Sequence, residues 1–271
     1  MKLSNRPPKA YKDMEFLNSP DARTVRILSE FYGPQARFRN SKIADTIVFF
    51  GSSRIKSRAE ALKYFKSVSE NNYTNPNTSK KKIEEAKRIL ELSKYYEVAV
   101  ELSRRLTSWS MNLKTDQKRF IICSGGGPGI MEAANKGAKL AGGESIGLNI
   151  SIPTEQYINK YVKRELAFEF HYFFMRKFWF IYLAKALIAF PGGFGTMDEL
   201  MEVLTLIQTK KVRKKICILV YDKKYWNEII DFDALLKYGM IGASDKKLIE
   251  FCNDIDEAFD KITTHFKKYY L

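Results

Sequence analysis

The stretch Phe190-Pro191-Gly192-Gly193-Phe194-Gly195-Thr196-Met197-Asp198-Glu199 follows an apolar run, Ala186 to Phe190, that stops at a proline. Glycines crowd the next positions. From Thr196 onward, apolar residues recur at Met197, Leu200, Met201, Leu204 and Ile207, which is helical spacing. A strand, a glycine turn and a helix start make a corner suited to an anion. Glycines let the backbone approach closely, and the first helical N–H groups carry the positive end of the dipole. Glu199 is out of place if the corner only holds phosphate. It fits a nucleotide site in which the carboxylate serves chemistry beside the phosphate. Thr196 and Glu199 also match the T-x-x-E capping box. A helix needs one cap and not several glycines ahead of it, so the cluster favours binding.

The same pattern occurs earlier. Phe120-Ile121-Ile122-Cys123 reads as a short strand, followed by Ser124-Gly125-Gly126-Gly127-Pro128-Gly129 and a helix predicted over Ile130–Leu140. Pro128 suits a first helical turn, where its missing N–H costs nothing. Ala133, Ala134, Gly137, Ala138 and Ala141 would let that helix pack close to a sheet. A third corner is Ile47-Val48-Phe49-Phe50-Gly51-Ser52-Ser53-Arg54. Strand-like runs at 47–50, 119–123, 146–150, 186–190 and 215–220 alternate with helical stretches, with an extra strand possible near Leu166–Phe170. The fold class this predicts is α/β: a Rossmann-like, doubly wound parallel sheet flanked by helices, with its ligand at the carboxyl edge of the strands.

Familiar nucleotide motifs do not fit. Residues 125–130 read G-G-G-P-G-I, which lacks the last glycine of G-x-G-x-x-G, and Glu144 precedes the next strand when a ribose reader should end it. This argues against NAD. No G-x-x-x-x-G-K-[ST] occurs, so the sequence is not that of a P-loop NTPase.

With both corners in view, the chain resembles the LOG family of nucleotide phosphoribohydrolases, long mislabelled "lysine decarboxylase". The family's G-G-G-x-x-G-x-M loop corresponds to Gly125-Gly126-Gly127-Pro128-Gly129-Ile130-Met131, with one glycine a position early, a form associated with the family's bacterial branch. Its P-G-G-x-G-T-x-x-E signature is complete in Pro191 through Glu199, its Arg-Lys pair falls on Arg176-Lys177, and its V-F-x-G-S-S opening strand on Val48 through Ser53. The likeness spans roughly Ile43 to Leu219. It implies hydrolysis of the N-glycosidic bond of a purine nucleoside 5′-monophosphate, an N6-substituted adenine nucleotide among the candidates, to free base and ribose 5-phosphate. It places Arg176 and Glu199 in the catalytic positions. Gly51, Ser52, Ser53, Gly125, Gly126, Gly127, Gly129, Lys177, Gly192, Gly193, Gly195 and Thr196 would hold the substrate, with no cofactor.

The chemistry agrees with that implication. Breaking a glycosidic bond builds positive charge on the sugar, which a carboxylate stabilises while it orients the attacking water. Glu199 does so only when ionised, and a helix N-terminus and a nearby Arg176 are expected to favour that form. Arg176 stands among Phe173, Phe174, Met175, Phe178, Trp179, Phe180, Ile181 and Leu183, apolar nearly all round, so the sequence predicts a largely buried helix. A guanidinium there needs a partner. Lys177 is less constrained, because a lysine can reach solvent along its own stem.

Bulk properties bound the rest. The 271 residues suffice for one α/β domain, read as 41–271, with an N-terminal extension over 1–40 carrying a helix near 22–32. Residues 55–95 exceed one crossover and read as a helical insertion, with a polar break at 71–78 and a charged helix from about Ser79. From Trp226 the chain reads as amphipathic helices closing the domain. Lys+Arg 46 against Asp+Glu 31 leaves +15, densest at Lys210-Lys211-Val212-Arg213-Lys214-Lys215. That charge would steer anionic nucleotides inward; with no nucleic-acid motif beside it, a solvated surface is the commoner explanation. Cys123, Cys217 and Cys252 suggest no disulfide framework and fit a reduced cytoplasm, and His171 and His265 lack metal-ligand spacing. The run Phe178–Phe190 contains Lys185 and is too short for a membrane span, and the first 25 residues show no apolar core of a secretion signal. The aromatic stretch Phe168–Phe180 could serve a subunit interface, and a homodimer or larger homo-oligomer is expected from the family. The rival reading is a non-catalytic nucleotide or molybdenum-cofactor carrier on the same fold, which has no need of Glu199. A pyridoxal-phosphate decarboxylase is disfavoured, because neither Lys177 nor Lys185 comes with a pyridinium partner.

Overall fold

Runs of β-branched, aromatic and small apolar residues bounded by turns become strands buried on both faces, the pattern of a parallel sheet covered by helices. The structure, a computed structural model, describes residues 7–70, 76–152 and 157–271. Its strands are β1 (Thr46–Phe50), β2 (Ile121–Ser124), β3 (Ser145–Ile150), β4 (Ala167–Phe170), β5 (Ala184–Ala189), β6 (Cys217–Tyr221) and β7 (Ile249–Cys252). They form one seven-stranded sheet in the order β4-β3-β2-β1-β5-β6-β7, every pair parallel. The chain runs outward from β1 to β4 and then returns to lay β5 on the other side of β1. The β1/β5 boundary is therefore the topological switch point, where the loops after two neighbouring strands part to opposite faces.

The helices are α1 (Met14–Asn18), α2 (Arg23–Asn40), α3 (Arg58–Ser69), α4 (Pro76–Met111), α5 (Ile130–Leu140), α6 (Phe173–Tyr182), α7 (Phe194–Gln208), α8 (Lys223–Ile229), α9 (Phe232–Lys237), α10 (Ala243–Lys246) and α11 (Ile255–Tyr269). They cover the sheet in two layers. On one face α4, α5 and α11 bury Ala99, Leu106, Ile130, Ala134 and Phe266 against Ile47, Phe49 and Ile122. On the other, α2, α6 and α7 bury Phe38, Trp179, Phe180, Leu200 and Val203 against Val48, Leu187 and Ile218. Each large apolar side chain so buried is worth about 1.5–3 kcal/mol.

Three sequence expectations are corrected. The helix predicted near 22–32 runs on to Asn40 through Pro34. Proline removes the bond to the carbonyl four residues back, here Glu30. That carbonyl instead accepts Trp179 Nε1–H at 3.0 Å, and the Glu30 carboxylate takes the N–H groups of His171 and Tyr172. Tertiary partners thus replace what the proline deletes. Second, the C-terminal part is not all helical, because Ile249–Cys252 pairs with β6 as an edge strand. Third, α6 is not buried all round. Met175, Trp179, Phe180 and Ile181 face the core, whereas Phe173, Phe174 and Tyr182 are about half exposed. The strand near Leu166–Phe170 is present as β4. The polar break at 71–78 falls largely outside the described residues, and α3 and α4 stand on either side of it.

Candidate active site

The loops after β1, β2 and β5 meet over the switch point. Ser52 joins them: its N–H donates to Pro191 O at 3.1 Å, and its carbonyl accepts Ile130 N–H at 3.1 Å. Gly129 is required there. Its φ is +70°, and a Cβ would lie 2.3 Å from Ser52 O. The β1 turn is clamped between the other two corners.

Around it opens a cleft of about 1140 Å³. Of the residues expected to bind substrate, Gly51, Ser52, Ser53, Gly125, Gly192, Gly193, Gly195 and Thr196 line it, together with Arg176 and Glu199. Gly126, Gly127, Gly129 and Lys177 do not line it. The glycine loop is instead held from behind by Asn159. Its N–H donates to Gly126 O (2.7 Å), and its side-chain amide donates to Gly126 O and Gly127 O. Asn135 Oδ1 accepts from that same amide and from Ser124 Oγ. Pro128 lies ahead of α5, whose N-cap is Gly129. Lys177 turns outward to Asp198 (2.8 Å) and Glu202 (2.9 Å) on α7, so acidic residues hold its charge away from the cleft.

The third corner differs from the capping-box reading. Helix α7 starts at Phe194 with Gly193 as N-cap and no side-chain cap, so Thr196 and Glu199 sit inside the helix. Thr196 packs into the turn: a Cβ on Gly192 would stand 2.1 Å from its Oγ1. The first intrahelical bond is Met197 N–H to Gly193 O (3.0 Å), which leaves the N–H groups of Phe194, Gly195 and Thr196 ahead of it without an intrahelical acceptor. Tyr225 of α8 fixes the turn by donating its hydroxyl to Gly192 O at 2.8 Å.

Arg176 and Glu199 are brought together. Arg176 Nη2 donates to Glu199 Oε1 at 3.1 Å; Glu199 is buried and Arg176 partly buried. Packing on the rings of Phe173 and Phe180 positions the guanidinium at the cleft wall, and its buried Nε–H has no partner among the described residues. The expectation of a plainly ionised Glu199 is corrected. Burial pushes its carboxyl up to about 7, and the opposing charges of Arg176 and Lys177 offset that only in part. Burial likewise lowers the Arg176 pKa from the usual arginine value.

Several lining residues escape the sequence reading. Lys56, Tyr64, Arg88, Ile89 and Tyr225 come from loops and helices with no motif. Only the long polar insertion hinted that extra walls existed. The basic run near Lys214 has a local use, since its ammonium caps the carbonyls of Ile181 and Tyr182 at the end of α6. No group of three or more His, Cys, Asp or Glu among the described residues could hold a metal, and none of their helices is long and apolar enough to cross a membrane.

Comparison with known proteins gives a consistent picture. A family model described as "Possible lysine decarboxylase" matches residues 131–262, a span containing both Arg176 and the complete glutamate signature. A probable cytokinin riboside 5′-monophosphate phosphoribohydrolase of Oryza sativa subsp. japonica is 28% identical over 171 residues, covering 62% of this chain and 75% of that protein. One from Arabidopsis thaliana, named without the qualifier, is 26% identical over 183 residues, covering 63% and 79%. A bacterial one, from Rhodococcoides fascians, is 32% identical over 81 residues, covering 30% and 40%. Among solved structures, a Moco carrier protein from Chlamydomonas reinhardtii is 18% identical over 83% of this chain and 98% of that one, with a TM-score of 0.47. In its two glycine corners, the matching family model and these curated relatives, the chain is similar to the LOG family.

Proposed function

We propose that the protein hydrolyses the N-glycosidic bond of purine nucleoside 5′-monophosphates, N6-substituted adenine nucleotides among them, releasing free base and ribose 5-phosphate. The observation that carries this is the Arg176–Glu199 pair at 3.1 Å, its carboxylate buried, which lies in the cleft a turn beyond the first N–H groups of α7. The helix start holds the 5′-phosphate. Glu199 sits where the sugar's anomeric carbon follows. The bond from that carbon to the purine breaks with its electron pair leaving on the base, water oxygen bonds to the carbon, and the water's proton passes to the Glu199 carboxylate. The departing base takes up a proton. A carboxyl with a pKa near 7 is well matched to giving and taking protons at neutral pH. Arg176 holds the carboxylate through Nη2. The names of the curated relatives support the substrate class. The half-exposed Phe173, Phe174 and Tyr182 supply the apolar face for a homo-oligomer, and three buried free cysteines suit a reducing cytoplasm.

The test is incubation with AMP, N6-isopentenyl AMP, CMP and the matching nucleosides, with released base read by chromatography. Release from purine monophosphates and not from nucleosides is expected. No release from any of them, with nucleotide still bound, overturns the hydrolase and favours a carrier.

A further inference from the structure

The two walls of the cleft belong to opposite faces of the sheet. Arg176, Phe180, Thr196 and Glu199 come from α6 and α7 on one face. Tyr64, Arg88, Ile89 and Leu92 come from α3 and α4, whose continuation packs on the other. We infer that the α3–α4 wall, through Tyr64, Arg88 and Ile89, contacts the base of the nucleotide and sets which bases are released. The inference rests on the hydrolase reading of the site and assigns a role to a segment that reading leaves idle.

The argument is geometric. In a nucleoside monophosphate the phosphate and the base leave the ribose on different carbons and point apart. If α7 holds the phosphate at its first turn and presents Glu199 to the anomeric carbon one turn on, the base projects away from α7. What faces it across the sheet edge is the α3–α4 wall. That wall has the chemistry of a base reader. Tyr64 is a half-buried aromatic with Lys56 Nζ 5.1 Å from its ring centre, and Ile55, Ile89 and Leu92 are apolar. Arg88 is exposed and carries no ion pair among the described residues, so its guanidinium is free for a ring nitrogen or carbonyl. The wall is also fixed in place. Arg58 N–H donates to Glu97 Oε1 at 2.9 Å, which ties the start of α3 to α4, and Ser57 and Glu60 form a capping box there. The cleft, at about 1140 Å³, exceeds the ~300–1000 Å³ of ordinary small-molecule pockets, so this wall has room to discriminate by base size.

The experiment compares wild type with Tyr64→Ala, Ile89→Ala and Arg88→Ala, each checked for folding by circular dichroism. The kcat/KM ratio of N6-isopentenyl AMP to AMP is measured, along with the Kd of ribose 5-phosphate, which lacks a base. The expected result is a shift of at least tenfold in the ratio for Tyr64→Ala or Ile89→Ala, with the ribose 5-phosphate Kd within twofold of wild type. Arg88→Ala, at an exposed position that bears no packing, is expected to change the ratio of GMP to AMP. Equal losses on every substrate, or unchanged ratios in all three variants, overturn the inference. If wild type releases no base at all, the hydrolase reading fails separately. The same ratios are then read as nucleotide Kd values by calorimetry in Glu199→Gln protein, and unchanged Kd ratios there overturn the wall as well.

Discussion

Two corners of this molecule look alike in sequence and end up differently. Both are strand, glycine cluster, helix. At the β5–α7 corner the turn stays open: a Cβ on Gly193 or Gly195 would meet nothing within 4 Å, and the first residues of α7, Phe194, Gly195 and Thr196, line the cleft. At the β2–α5 corner the space is filled. Ser52 O takes the Ile130 N–H, Asn159 takes the carbonyls of Gly126 and Gly127, and Gly129 is pressed onto the β1 turn. The same backbone device therefore stays open to the cleft in one place and forms a close-packed joint in the other. What distinguishes them is which groups occupy the space in front of the glycines.

The strongest way to break this comparison is at the open corner. Glu199→Gln and Arg176→Ala are expected to lower kcat by about 10²–10³ each while the protein stays folded, as for other single electrostatic groups at a reacting centre. Retained turnover in a folded Glu199→Gln protein would place the chemistry elsewhere.

A pH test sharpens the same point. Because burial raises the Glu199 pKa to about 7, the folded protein holds that proton more tightly than the unfolded chain. Its contribution to stability is present below the unfolded value of 4.5 and is lost as pH rises through about 7. Wild type should therefore lose up to ~3 kcal/mol relative to Glu199→Gln between pH 4 and pH 8. Thermal melts of the two proteins across that range should converge at the acid end and part at the alkaline end. If the carboxylate is the active form, kcat/KM rises over the same interval.

The closed corner predicts the opposite pairing of effects. Gly129→Ala puts a Cβ into Ser52 O at a left-handed φ and should cost about 2–3 kcal/mol of stability. Gly193→Ala should leave the melting temperature within a degree or two, since its Cβ meets nothing within 4 Å, and raise the KM for monophosphates if the proposed phosphate seat lies there. Equal destabilisation by both would show that the corners are structurally equivalent after all. The smallest effect is expected from Tyr225→Phe, which deletes one hydrogen bond to Gly192 O. A loss of about 1 kcal/mol in stability and a few-fold rise in KM would mark the turn as positioned by that hydroxyl.

Much of this was legible in the chain itself. Parallel strands buried on both faces show as short apolar runs, and five can be located to within a few residues, four of them because glycine or proline closely follows the run. Arg176 stands out because a charge in an apolar helix needs a partner, and Glu199 because the glycines ahead of it exceed what a helix cap requires. The edge strand β7 was missed because Ile249-Glu250-Phe251-Cys252 is half exposed, carries a charge and lies among helical residues. The end of α2 was misjudged because Gly33 and Pro34 are local stop signals. Trp179, far away in sequence, satisfies the carbonyl that proline leaves free.

By itself the sequence determined the parallel α/β fold, the three corners over one sheet edge and the two charged residues at their centre, because backbone sterics and the need to pair buried charge act locally or by type. Only the tertiary structure decided which glycines face a ligand, that Lys177 belongs to Asp198 and Glu202, that Glu199 is buried enough to hold its proton near neutrality, and that α3 and α4 reach the cleft. Those outcomes depend on how much water and which neighbours each group keeps once distant segments are in contact, and such quantities have no value along an isolated chain.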